Sequence, residues 1–193
     1  MYHRARDLMG WDFTAVTDHD IWSLGEERPR SSEELDLMMR LADRNNSPGR
    51  FVTFRSYEWT HHTLGHRNVI FGPSTEPVFL PHTDARYATP ERLLRALEGR
   101  DVLVVPHHPA WKTHAGEMHF DFGPAGDSHQ RLIEVYSRHG NSEFFGCPRQ
   151  ISHVGSMEGI RGAITRAFLG REYAVRNPAV TCATRSPLAT GLV

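Results

Sequence analysis

The run Asp101-Val-Leu-Val-Val-Pro106 constrains the fold more than any other stretch of this 193-residue chain. An unbroken apolar run cannot turn one face to water and the other to a core, so the strand it forms is buried on both sides. That is the signature of a strand inside a parallel sheet with helices on both faces. The segment Arg131-Leu-Ile-Glu-Val-Tyr-Ser137 reads as another such strand, and Trp11-Asp-Phe-Thr-Ala-Val-Thr17 as a buried strand near the start.

Helices are predicted between these runs. Residues 2–9 read as the end of a helix closed by Gly10. Ser31 with Glu34 has the spacing of a capping box, which starts a helix reaching about Asp43, with Leu35, Met38, Met39 and Ala42 on its inner face. Residues 50–59 and 66–72 read as two further strands joined by a polar, histidine-bearing connection. Thr89, Pro90 and Glu91 begin a helix with proline in its first turn, buried along Leu93, Leu94 and Leu97 and ended near Gly99. A last helix is predicted over about 156–169, weakened by Gly159 and Gly162 and stopped by Gly170. Strands alternating with helices predict a single α/β domain over residues 1–193, layered or barrel-like, with functional groups at the carboxyl ends of the strands.

Composition narrows the function more than the fold. Apolar residues at 39% and charged residues at 23% are those of a globular protein and exclude a mainly disordered chain. The net charge of -1, with both signs interspersed, gives no polybasic tract for nucleic acid and no patch for a membrane surface. No apolar run approaches the roughly 20 residues of a membrane span, and the start lacks the apolar core of a signal peptide. Cys147 and Cys182 stand without CxxC spacing, so the default compartment is a reducing cytoplasm.

The unusual count is histidine, at thirteen, and placement matters more than number. The strand at 11–17 is followed by Asp18, His19 and Asp20. The next strand delivers Glu58, with His61 and His62 close behind, and His66 opens the strand after it. The apolar run at 101–105 ends in Pro106, His107 and His108, and the strand at 131–136 carries Glu134, with His139 just beyond. Imidazole and carboxylate gathered at successive strand ends suit Zn, Mn or Fe, and a carboxylate can bridge two ions. For His61, His62, His82, His114, His119 and His153 the weightier reading is a surface or hydrogen-bonded histidine. For His19, Glu58, His66 and the His107/His108 pair, recurrence at equivalent places reverses that weighting. Asp18 has two readings: a turn cap, or a partner that holds the His19 ring.

The ordered motifs FTAVTDHD, YEW leading to GHRNVIF, VVPHHPAW and IEVYSRHGNSE resemble the PHP (polymerase and histidinol phosphatase) superfamily, and within it a branch carried as a domain of unknown function. The resemblance covers roughly residues 2–145. It implies a distorted (β/α)7 barrel with two or three divalent ions, Zn, Mn or Fe, and hydrolysis of a phosphoester or other small-molecule substrate. By motif, His19 matches a metal ligand, Glu58 the bridging carboxylate and His66 the next histidine. His107 or His108 supplies the following ligand: strand length favours the first, the family's His-Pro pair the second. Arg67 or Arg138 could clamp a phosphate oxygen, against the plainer reading of each as a solvated arginine.

Two family motifs are not found, an early His-x-His and a late Asp-x-His. Asp127-Ser128-His129 has the spelling of the second but precedes the strand it should follow, and reads as a loop. The expectation is therefore an incomplete PHP-type barrel, truncated at both ends, whose intact parent is a metal-dependent phosphoesterase. The alternative is a non-catalytic fragment that keeps only a partial metal site. A nucleic-acid-processing role has no support from charge.

Overall fold

The computed structural model describes residues 1–23, 26–108, 121, 123–124, 127–134, 136–137 and 140–141. The chain opens on a π-helical turn, Arg4–Leu8. Gly10 ends it with a φ of 65°, in the left-handed region that glycine adopts without a steric penalty. Strand β1 is Phe13–Ala15, and the short strands β2 (Trp22–Ser23) and β3 (Glu26–Glu27) pair antiparallel.

Helix α1, Ser32–Asn45, begins at the capping box: Glu34 N–H donates to the Ser31 hydroxyl, and Ser31 N–H donates to the Glu34 carboxylate at 2.8 Å. Two backbone donors that the first turn leaves unmatched are thereby satisfied. Strands β4 (Val52–Phe54), β5 (Ser56–His61) and β6 (Gly65–Phe71) follow with no helix between them. Helix α2, Pro90–Ala96, is capped by Thr89 and leads into β7, Val102–His107. Strands β8 (Tyr136–Ser137) and β9 (Gly140–Asn141) form a second short antiparallel pair.

Strand pairing sets the architecture. β1 lies parallel to β4, with Phe13 opposite Val52, and the same parallel line reappears where His19 bridges to Glu58. β5, β6 and β7 form one antiparallel sheet, with Thr60 opposite His66 and His66 opposite His107. Beyond β7, Val104 N–H donates to the His129 carbonyl and Glu134 N–H to the Pro106 carbonyl, which lays residues 129–134 alongside β7 in the same direction.

Side chains alternate across this sheet with period two. Tyr57, Trp59, Val69, Phe71, Val102 and Val104 face one way and pack with Leu35 and Met39 of α1 and Leu93, Leu94 and Leu97 at α2. On the opposite face Ala15, Ile70 and Val105 form a smaller apolar cluster, flanked by Phe54, Leu103 and Leu132. Further toward the strand ends that same face carries Glu58, Thr60, His66 and His107, all in step with Ile70 and Val105.

The expectation of a distorted (β/α)7 barrel is overturned. The described residues form small mixed sheets with few helices, and no barrel closes among them. The reason is local. Only His62, Thr63 and Leu64 separate β5 from β6, whereas a parallel crossover needs a dozen or so residues. His61 tightens that turn, its Nδ1 accepting the N–H groups of Thr63 and Leu64 at 3.2 and 3.1 Å. The apolar run at β7 is indeed buried, but it runs antiparallel to β6. An unbroken apolar run reports cover on two faces and is silent about direction. The strand predicted over 131–137 is assigned as strand at Tyr136–Ser137 alone among its described residues. No helix among the described residues is long and apolar enough to cross a membrane. The helix predicted at 156–169 lies outside them.

Candidate metal centre

Three strands and one strand extension bring the cluster together. Glu58 and Thr60, two apart on β5, point to the same face, and His66 on β6 sits opposite Thr60. His107 ends β7 opposite His66, and His19 enters from the parallel extension of β1 through its bridge to Glu58. Strand register alone thus gathers residues separated by as much as 88 positions in the chain.

At the centre is the buried Glu58 carboxylate. Its Oε1 lies 2.8 Å from His66 Nδ1 and 3.3 Å from His19 Nδ1, while its Oε2 is 3.9 Å from His107 Nε2. His108 Nε2 is 3.2 Å from His66 Nδ1, and the two rings meet edge to face with centroids 4.6 Å apart. Two three-residue donor groups result, His19/Glu58/His66 and Glu58/His107/His108, each with ligand atoms within 4.8 Å of one another and both containing Glu58. A proton holds the 2.8 Å contact of His66 Nδ1 with Glu58 in the metal-free chain, and a cation taking that place displaces it. A donor set of imidazoles around one carboxylate could hold a metal ion.

Burial and charge tune the donors in different directions. Burial pushes the Glu58 carboxyl above its ordinary value, opposed by His107 and His19. Burial lowers the His19 imidazole, with Glu58 pulling the other way. For His107 burial also favours the neutral ring, but Glu134 and then Glu58 outweigh it and the net shift is upward.

The family model described as "Protein of unknown function (DUF3604)" matches residues 16–137, more than half of the chain and a span that holds every member of this cluster. The chain belongs to the DUF3604 family. No curated protein and no solved structure gives a match.

Of the residues singled out in this DUF3604 sequence, His19, Glu58, His66, His107 and His108 come together, and others do not. Asp18 is exposed, and its backbone carbonyl, not its side chain, makes the bond to Glu58 N–H at 2.9 Å. The His19 ring is instead met at Nδ1 by the Thr60 hydroxyl at 2.8 Å. Thr60 Oγ1 donates to the Glu58 carbonyl, so it accepts the Nδ1 proton and leaves His19 Nε2 with its lone pair. Arg67 follows His66 on β6 and therefore faces the other side of the sheet. It is fully buried there, 5.4 Å above the Trp59 ring, and burial lowers its guanidinium to about 9. A phosphate clamp at the cluster is thus not open to it. Arg138, His114, His119, His139 and His153 lie outside the described residues.

The remaining histidines have local partners. His61 caps the hairpin turn, and Asp127 Oδ1 accepts both the N–H and the ring nitrogen of His129, closing that motif on itself as a loop. His82 binds Asp20, which sequence reasoning left undecided. Asp20 is wholly buried: Oδ1 accepts Thr60 N–H at 2.9 Å, and Oδ2 accepts His82 N–H at 2.8 Å and its ring Nδ1 at 3.0 Å. Asp20 therefore holds the backbone of the residue whose hydroxyl holds His19. Glu134, noted only as a charge within a strand, contacts both His107 and His108. A lone carboxylate inside the apolar run Leu-Ile-Glu-Val-Tyr is the signal that could have marked it.

Proposed function

We propose that this chain carries a metal-dependent hydrolase site of the PHP type, acting as a phosphoesterase on a small-molecule substrate. The observation that carries the proposal is the sharing of Glu58 between two donor groups. A buried carboxylate that turns one oxygen to His19 and His66 and the other to His107 is suited to hold two ions at a fixed spacing.

His19, Glu58 and His66 would hold one ion, and Glu58, His107 and His108 the other. When bound, such ions bring the pKa of a coordinated water toward neutrality and offset negative charge on phosphoryl oxygens. The chain supplies the rest. Thr60 fixes the His19 ring, and buried His66 and His108 keep water from the inner side. His19, with its side chain 33% exposed, marks the edge from which a substrate reaches the cluster.

The test is hydrolysis of p-nitrophenyl phosphate by chain reconstituted with Mn or Zn, compared with Glu58→Ala. Loss of a merely supporting partner of a ligand costs 10- to 100-fold, so loss of a shared ligand should lower the rate by at least about 100-fold. Turnover unchanged in Glu58→Ala would refute the proposal. Metal bound by the wild-type chain without turnover of phosphoesters would leave a metal-binding protein that is not a phosphoesterase.

A further inference from the structure

We infer that Glu134 is a positioning residue that sets both imidazoles of the His107-His108 pair from a single carboxylate oxygen. Its Oε2 accepts His108 N–H at 2.7 Å and lies 2.8 Å from His107 Nδ1. The inference rests on the metal reading of the cluster and adds to it the means by which two consecutive residues serve one site.

Consecutive residues of a strand point to opposite faces, so His107 and His108 should not meet. They do, with ring centroids 4.2 Å apart, because the chain turns at His108 with a φ of 34°. A residue with a side chain holds that left-handed conformation only where its surroundings over-determine it. The bond from His108 N–H to Glu134 supplies such a constraint at the turn itself. The turned ring is then wholly buried against His66, its Nε2 3.2 Å from His66 Nδ1.

The second contact acts on His107. A bare ring nitrogen and a carboxylate oxygen 2.8 Å apart repel one another, so this approach, although too bent for a hydrogen bond, favours the tautomer with the His107 proton on Nδ1. The lone pair is left on Nε2, the atom that faces Glu58 Oε2 across 3.9 Å. Carboxylate partners of this kind fix the tautomer and ring orientation of metal-binding histidines. Position is set by backbone: Glu134 N–H donates to the Pro106 carbonyl, which fixes the carboxylate beside the residue that precedes the pair.

Both contacts use one oxygen, and this makes a sharp test possible. In Glu134→Gln the amide oxygen can accept the His108 N–H and stand beside His107 Nδ1 without the charge, whereas Glu134→Ala removes both contacts. Long-range ¹⁵N–¹H correlation spectra of the metal-free chain at pH 8 read the ring tautomers, and Zn titration reads affinity. Wild type and Glu134→Gln are expected to show His107 with its proton on Nδ1. Glu134→Ala is expected to shift His107 toward the Nε2–H form and to bind Zn 10- to 100-fold more weakly, with most of the affinity restored in Glu134→Gln. An unchanged His107 tautomer in Glu134→Ala would overturn the positioning role whatever the metal does. Glu134→Gln behaving as Glu134→Ala would overturn it too, by showing that charge alone matters. If the tautomers respond as stated but the wild-type chain binds no Zn, Glu134 positions the pair and the metal reading is what fails.

Discussion

Each donor at this rim has a partner that explains its orientation: Thr60 for His19, Glu58 for His66, Glu134 for His107 and for the His108 backbone. Asp20 stands behind the first of these. Three donors converge on its wholly buried carboxylate, so Asp20→Ala strands the Thr60 and His82 groups in a site that water cannot easily reach. Breaking a buried charged network of this kind costs about 3–5 kcal/mol. Urea unfolding of the metal-free chain should show a loss of that size, and a loss below about 1 kcal/mol would mean that the network is incidental. At this scale the sequence was most informative where chemistry recurs, at His19, Glu58, His66, His107 and His108. It was least informative for the supporting residues. Nothing local marks Thr60 as the partner of His19, because that contact exists only once β1 and β5 lie side by side.

The hairpin of β5 and β6 gives the rim its shape, since it sets His66 opposite Thr60 and brings both into line with Glu58. Its turn depends on His61 Nδ1 as an acceptor, which requires the neutral ring. Burial first, then His82 and His62, lower that imidazole to about 4, against about 6.5 in an unfolded chain. The sign follows: the unfolded state takes up the proton first, so the contribution of His61 is intact above pH 6.5 and is lost as pH falls toward 4. An NMR titration should find His61 neutral at pH 5.5, whereas titration near 6.5 would show that the turn does not constrain it. The two helices were legible in advance because caps are local, Ser31 with Glu34 and Thr89 before Pro90. The direction of β7 was not, since its apolar run records cover by α1 and α2 on one side and by Ile70 and Leu132 on the other.

For the molecule as a whole, one sheet system divides the work. One face carries the helix-covered core around Trp59, Val104 and Leu93, and the other carries the small Ala15/Ile70/Val105 cluster and, beyond it, the histidines. The barrel that the family resemblance implied does not fit because β5 and β6 are joined by a link of three residues that has room only for a turn. The gathering of His19, Glu58, His66 and His107 needs no barrel, because strand register brings these residues together. Raised proton affinity at Glu58 and His107 makes protons compete harder with a cation there, so metal affinity should fall as pH is lowered from 8 to 6. Calorimetric titrations in buffers of differing ionisation heat should reveal proton release; affinity independent of pH would argue against these ligands. The most direct measurement is the metal content of the purified chain, dialysed after loading with Zn or Mn, beside that of Glu58→Ala. Because both donor groups contain Glu58, one to two ions per wild-type chain and a near-complete loss in the variant are expected. A folded wild-type chain without bound metal, or a variant that retains the full complement, would contradict a metal centre built on Glu58.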